Sequence, residues 1–321
     1  MKFRTEVQIP EFPYKLDHHT PVLMMGSCFT DNIGLYLEKY LFDISVNPFG
    51  VIYNPLSIKR AIVALMEKEA YTESDLGFYN ELYFSFDHYT KFSHPDKARA
   101  LQNMNQSFLD AMRFIREGKY LIITFGTAYV FRYIETGNVV CNCHKMPASE
   151  FKRELLTPEQ ILDEYKALAR SLQEINPDLK IIFTVSPVRH MKDGAHGNQV
   201  SKATLLLAID RLCNLDPERF SYFPSYELVM DDLRDYRFYA DDLTHPNEMA
   251  LQYIWEKFAL AFFSNETIQI NRNLDPLISV LQHKSLHPDS VSYKKFLVHK
   301  EKTVAGLKAN YPFLQWSKLE A

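Results

Sequence analysis

Pro21-Val22-Leu23-Met24-Met25-Gly26-Ser27-Cys28-Phe29-Thr30-Asp31-Asn32-Ile33 changes character twice over a short stretch. The apolar run stops at Gly26, and from Phe29 to Tyr40 the apolar residues recur at helical spacing through Ile33 and Leu37 to Leu41. This reads as strand, tight turn, helix. The same grammar returns at Lys119-Tyr120-Leu121-Ile122-Ile123-Thr124, which ends at Phe125-Gly126-Thr127, and again over 179–185, which ends at Ser186-Pro187. Continuous apolar runs of this length suit parallel strands buried on both faces. Amphipathic stretches over 56–67, 98–117, 158–175 and 199–212 lie between them, so the fold class is α/β, a mainly parallel sheet wrapped by helices. Ligands of such sheets bind beyond the carboxyl ends of the strands. Ser27, Gly126, Ser186 and, ahead of a helix over 250–262, His245 are therefore expected on one edge.

Past Phe263 the sequence turns more polar, with two further helical patterns over 274–281 and 291–307. The chain divides into a catalytic domain over 1–263 and a C-terminal helical extension over 264–321. Two aromatic-rich insertions, 47–54 and 79–94, interrupt the alternation. Tyr83, Phe84, Phe86 and Tyr89 are too many aromatics for a plain solvated loop, which predicts that 79–94 lines or covers a pocket. With 46% hydrophobic residues there is enough apolar material to cover both faces of a sheet. A net charge of −4 gives no basic field for nucleic acid or an anionic membrane. Cys28, Cys141, Cys143 and Cys213 are too few and too scattered for a disulfide framework, and read as thiols. No apolar leader follows Met1, and no run approaches the ~18–20 residues of a membrane helix. The expected location is cytoplasmic.

A serine attacks a carbonyl only when a base takes its proton and a third group orients that base. Ser27 stands at a strand end and at the threshold of a helix, where unpaired N–H groups and the helix dipole favour an oxyanion. Asp242-Leu243-Thr244-His245 places an acid three residues before a histidine, close enough for one turn to hold both. Taken singly, Ser27 is an ordinary N-cap and Asp242 a turn residue; jointly they make a triad of Ser27, Asp242 and His245.

These residues resemble the GSCFA family, which is grouped with the SGNH/GDSL hydrolases. The likeness runs from Pro21 to Phe262 through Gly26-Ser27-Cys28-Phe29, Asn47-Pro48-Phe49-Gly50, Tyr53-Asn54-Pro55, Asn142-Cys143-His144-Lys145 and Asp242-Leu243-Thr244-His245-Pro246. Thr30 stands where the family name has alanine. The resemblance implies a three-layer α/β/α fold of the flavodoxin-like kind. It also implies a serine esterase or acyltransferase acting on a small O-acyl group such as acetyl, on a small molecule or a carbohydrate, with no cofactor.

The wider pattern reads Gly-Asp-Ser, so alignment on the glycine puts Cys28 at the nucleophile position, while alignment on the serine keeps Ser27; the second is preferred here. The oxyanion asparagine expected after Gly126 is missing, because the segment reads Gly126-Thr127-Ala128-Tyr129. Gly50, Gly126, Asn142 and His144 are the candidate oxyanion or binding groups. Two other readings compete. One is a non-catalytic binding protein on the same scaffold; the other is a metal-dependent hydrolase built on Cys141, Cys143 and His144, whose C-x-C-H spacing is tighter than zinc sites favour.

Overall fold

The computed structural model describes residues 5–282 and 290–319. Five strands form one parallel sheet: β1 (Val22–Gly26), β2 (Ile44–Val46), then, after a β3–β4 hairpin (Gly77–Tyr79 and Leu82–Phe84), β5 (Tyr120–Phe125), β9 (Lys180–Val185) and β10 (Phe220–Tyr222). Between β5 and β9 the chain builds a small antiparallel sheet of β6 (Tyr129–Tyr133), β7 (Val139–Val140) and β8 (Phe151–Leu155), in the order β7-β6-β8.

The order β10-β9-β5-β1-β2 in the main sheet places β1 and β5 side by side although the chain leaves β1 in one direction and later continues in the other. That junction is the topological switch point, where the carboxyl ends open a crevice.

Alternate residues of each strand enter different cores, as a period of two requires. Leu23, Met25, Leu121, Ile123, Ile181 and Phe183 join one apolar cluster with Ile62 of α2 (Pro55–Glu67), Phe108 of α3 (Lys97–Glu117), Tyr165 of α4 (Pro158–Ile175) and Ile209 of α5 (Gly194–Leu215). Val22, Met24, Ile122 and Ile182 join the other, with Ile33 of α1 (Cys28–Lys39) and, after the single turn α6 (Ser225–Glu227), Phe258 of α7 (Glu248–Phe262). The three-layer α/β/α expectation holds, including the fully buried central strands. Beyond α7, α8 (Asn265–Gln282) and α9 (Val291–Asn310) belong to a separate apolar cluster, in which Leu274, Leu277 and Trp316 close over Leu41.

Local chemistry sets the turn after β1. Gly26 has φ +150°, and a Cβ there would lie 2.3 Å from the carbonyl oxygen of Thr124 on β5. Only glycine allows the two backbones to approach this closely. Its N–H donates to Asn47 Oδ1 at 2.8 Å, and Asn47 Nδ2 donates to Asp31 Oδ1 at 2.6 Å. The Asn47–Gly50 turn thus braces the strand end against the first turn of α1. Gly26→Ala is expected to cost about 3 kcal/mol or more in urea unfolding, from backbone collision and strain together. Gly137→Ala, at φ +71° with nothing within 4 Å, should cost only about 1–2 kcal/mol. Similar losses for both would refute the close-approach account.

Candidate active site

Residues from seven regions meet over the switch point and line a cavity of about 450 Å³. Cys28 comes from the start of α1, Tyr53 and Asn54 from the turn into α2, Thr127 from the end of β5, and Tyr129, Phe131 and Arg153 from the small sheet. Asn142 and Cys143 arrive on the loop after β7, His190 and Lys192 on the loop after β9, and His245 on the loop before α7. In the β6–β8 ladder Phe131 faces Arg153. Tyr129 lies two residues from Phe131, so all three side chains project from one face of that sheet. The Arg153 guanidinium sits 4.0 Å from the Tyr129 ring centre.

Asp242 and His245 form one tight turn. Asp242 Oδ1 accepts the N–H groups of Thr244 and His245, each at 2.9 Å, and Oδ2 meets His245 Nδ1 at 2.5 Å. Leu243 between them takes φ +58°, the left-handed region, which is strained for a residue with a Cβ. The backbone N–H of His245, then that of Thr244, then the imidazole hold the Asp242 carboxyl far below the usual carboxylate range. With Nδ1 engaged, Nε2 is the imidazole nitrogen left for chemistry.

Ser27, the nucleophile expected from the sequence, stands at the N-cap of α1. Its side chain is 1% exposed and caps α1, with Oγ accepting the Phe29 N–H at 3.3 Å. It does not line the cavity, whereas Cys28, one residue on, does so together with His245. Burial, reinforced by Asp31, pushes the Cys28 thiol above its ordinary value, against smaller opposing effects from the Cys28 and Phe29 N–H groups and Lys202. The resting group is therefore a thiol that needs a base.

The expected oxyanion donors are redistributed too. Gly50 N–H is engaged by Asn47 O at 2.7 Å, and Gly126 N–H by Tyr53 O at 2.8 Å. His144 faces away, with Nε2 3.0 Å from Ser85 O and its ring stacked on Phe84 at 4.3 Å. Asn142 reaches the cavity, and its Oδ1 accepts the His144 N–H, leaving the Nδ2 group as a donor. Among the described residues no group of three or more His, Cys, Asp or Glu side chains is placed to hold a metal ion. Cys141, Cys143 and His144 therefore do not converge as the metal reading required.

The insertion over 79–94 contributes no lining residue. It stands one layer behind: Phe86 O accepts the Cys141 N–H at 2.8 Å, and the Phe86 ring packs on Tyr133 of the small sheet. Its aromatics support the loop that forms the wall.

A family model matches residues 21–258, most of the chain. The chain belongs to the GSCFA family. No curated protein matches this GSCFA chain. Among solved structures it is similar to a carbohydrate esterase family 3 protein from Talaromyces cellulolyticus, at 9% identity and a TM-score of 0.35, with 79% of this chain and 99% of that chain covered. That likeness is too remote to carry substrate or mechanism across. No helix among the described residues is long and apolar enough to cross a membrane.

Lys202 was invisible in the sequence, where it reads as an ordinary polar position of an amphipathic helix. It is 1% exposed, and Nζ donates to Gly126 O at 2.7 Å and Ser186 O at 2.6 Å. It ties together the carboxyl ends of β5 and β9 beneath the cavity. Burial lowers its pKa to about 7, with Cys28 opposing slightly. A neutral amine keeps two N–H groups, one for each carbonyl, so the tie survives deprotonation.

Below about pH 7 both folded and unfolded chains hold the proton and the burial penalty is constant. Between there and the unfolded lysine value of ~10.4 the unfolded chain binds more protons, so stability rises with pH. The wild type should therefore gain roughly 2–4 kcal/mol over Lys202→Met between about pH 7 and pH 10 in denaturant titrations. A difference independent of pH would contradict a buried, depressed lysine.

Proposed function

We propose that this GSCFA chain is an acyl-transferring enzyme, an esterase or acyltransferase, that works through Cys28 with His245 as base and Asp242 as its orienter. The observation that carries the reading is that Cys28 and His245 line one cavity while Ser27 caps the helix beneath it. This replaces the serine preferred from sequence and keeps the other two members of the triad.

In the proposed reaction His245 Nε2 takes the thiol proton as Cys28 Sγ attacks the carbonyl carbon of an O-acyl ester. The developing oxyanion is met by the Cys28 N–H, one of the unpaired N–H groups of the first helical turn, and by Asn142 Nδ2, which supplies the donor missing after Gly126. Collapse expels the alcohol, which takes its proton from the imidazolium, and leaves an acyl thioester on Cys28. Water or an acceptor alcohol then attacks that thioester with His245 again as base, and the thiolate leaves to regain its proton. Asp242 keeps the ring oriented and stabilises the imidazolium in both halves. The cavity suits a small acyl group, acetyl or a near relative, on a small molecule or a carbohydrate.

Hydrolysis of an activated short-chain ester by the wild type and four variants tests this. Cys28→Ala should lose about a thousandfold or more in kcat, and His245→Ala a comparable amount, with little further loss when both are removed. Ser27→Ala should keep kcat within about tenfold and lose about 1 kcal/mol of stability, the usual cost of an N-cap. An inactive Ser27→Ala beside an active Cys28→Ala would restore the serine mechanism. Full activity in every variant would place the hydrolysis on groups other than Cys28, His245 and Ser27 and overturn the reading.

A further inference from the structure

We propose that the cavity rim formed by the loop after β9 receives an anionic group, a carboxylate or a phosphate, carried by the substrate. The proposal rests on the acyl-transfer reading for the word substrate, but not for the anion site itself.

The lining holds Arg153, Arg189 and Lys192 against a single rim carboxylate, Asp193. That carboxylate is taken by Arg153 in an ion pair. Among the described residues neither Arg189 nor Lys192 has a carboxylate partner. Arg189 Nη2 meets only the Met230 sulfur, at 3.5 Å, and Lys192 Nζ stands 5.5 Å from the Phe131 ring centre. Several surface cations elsewhere are paired: Lys59 with Glu164, Arg113 with Asp43, Lys97 with Glu73, Arg211 with Glu159.

His190 lies in sequence between the two free cations and also lines the cavity. Its Nε2 is buried without a hydrogen-bond partner, and its ring meets Tyr53 edge to face at 5.5 Å. Burial, with help from Lys202, lowers its pKa to about 4, so at neutral pH it is an uncharged group with one unsatisfied ring nitrogen. Two unpaired cations over an aromatic shelf, beside an orphaned imidazole nitrogen, focus a positive potential on the mouth of the cavity. An ordinary solvated rim would leave the charges scattered and no buried polar atom waiting. The net charge of the whole chain is −4, so the positive mouth is a local arrangement.

Alkylation of Cys28 by iodoacetate and iodoacetamide, followed by peptide mapping, reads the field without needing turnover. At low ionic strength the iodoacetate-to-iodoacetamide rate ratio at Cys28 should exceed that of free glutathione by about fivefold or more. It should fall to the glutathione value in the Arg189→Met/Lys192→Met double variant, and in the wild type as salt is raised. A ratio at or below glutathione's, or one unchanged in the double variant, overturns the proposal. A Cys28 that neither reagent reaches overturns both this proposal and the acyl-transfer reading. Inorganic phosphate and acetate are then compared as protectors against iodoacetamide: protection at lower phosphate concentration assigns a phosphate, at lower acetate concentration a carboxylate, and protection by neither refutes the site. The raised iodoacetate preference in a protein inactive on every ester would keep the anion site and remove the esterase reading.

Discussion

The contact between Gly26 and the Thr124 peptide governs the site. With a side chain at 26 the ends of β1 and β5 would separate, because a Cβ would meet the Thr124 carbonyl at 2.3 Å. With glycine the chain leaves β1 tightly enough for the very next residues to start α1, so a helix N-terminus opens directly over the switch point of the sheet. The Asn47 side chain fixes that geometry from the far side by joining the Gly26 N–H to Asp31. Lys202 performs the matching task across the crevice, where Gly126 and Ser186 would otherwise present two carbonyls without a donor. Positions of the cavity-lining groups are thus set by backbone contacts, and their side chains hang from them.

Much of this was legible in the sequence. Val22 to Gly26, Tyr120 to Phe125 and Lys180 to Val185 are buried on both faces and so write continuous apolar runs, and their helices write amphipathic ones. The Asp242–His245 pair was legible because an i,i+3 spacing is short enough to be closed by a single turn. The small sheet was not. Phe151 to Leu155 is Phe-Lys-Arg-Glu-Leu, exposed on most of its length, and such a strand is specified by its ladder to Tyr129–Tyr133, which pairs residues distant in the chain. The cavity wall that carries Arg153 was therefore hidden with it.

The choice between Ser27 and Cys28 was hidden for a different reason. Adjacent residues at a helix start differ by a rotation of about 100°, and which of them faces the crevice depends on how the first turn meets the strand end. Composition and spacing are blind to that angle. In the structure the serine hydroxyl turns inward to cap the helix and the thiol stands in the cavity. Likewise the aromatics of 79–94 were read as lining or covering the pocket, yet Phe84 stacks on His144 and Phe86 packs on Phe151 at the back of the small sheet rather than into the cavity.

The central claim, that the group which accepts the acyl moiety is the Cys28 sulfur, is tested most directly by trapping it. Wild-type protein is mixed with an activated acetyl ester, quenched in acid within the first turnover, and the peptide containing residues 27 and 28 is fragmented in the mass spectrometer. The account predicts an acetyl group on Cys28, released by neutral hydroxylamine as a thioester is. An acetyl group on Ser27, stable to that treatment, would contradict it.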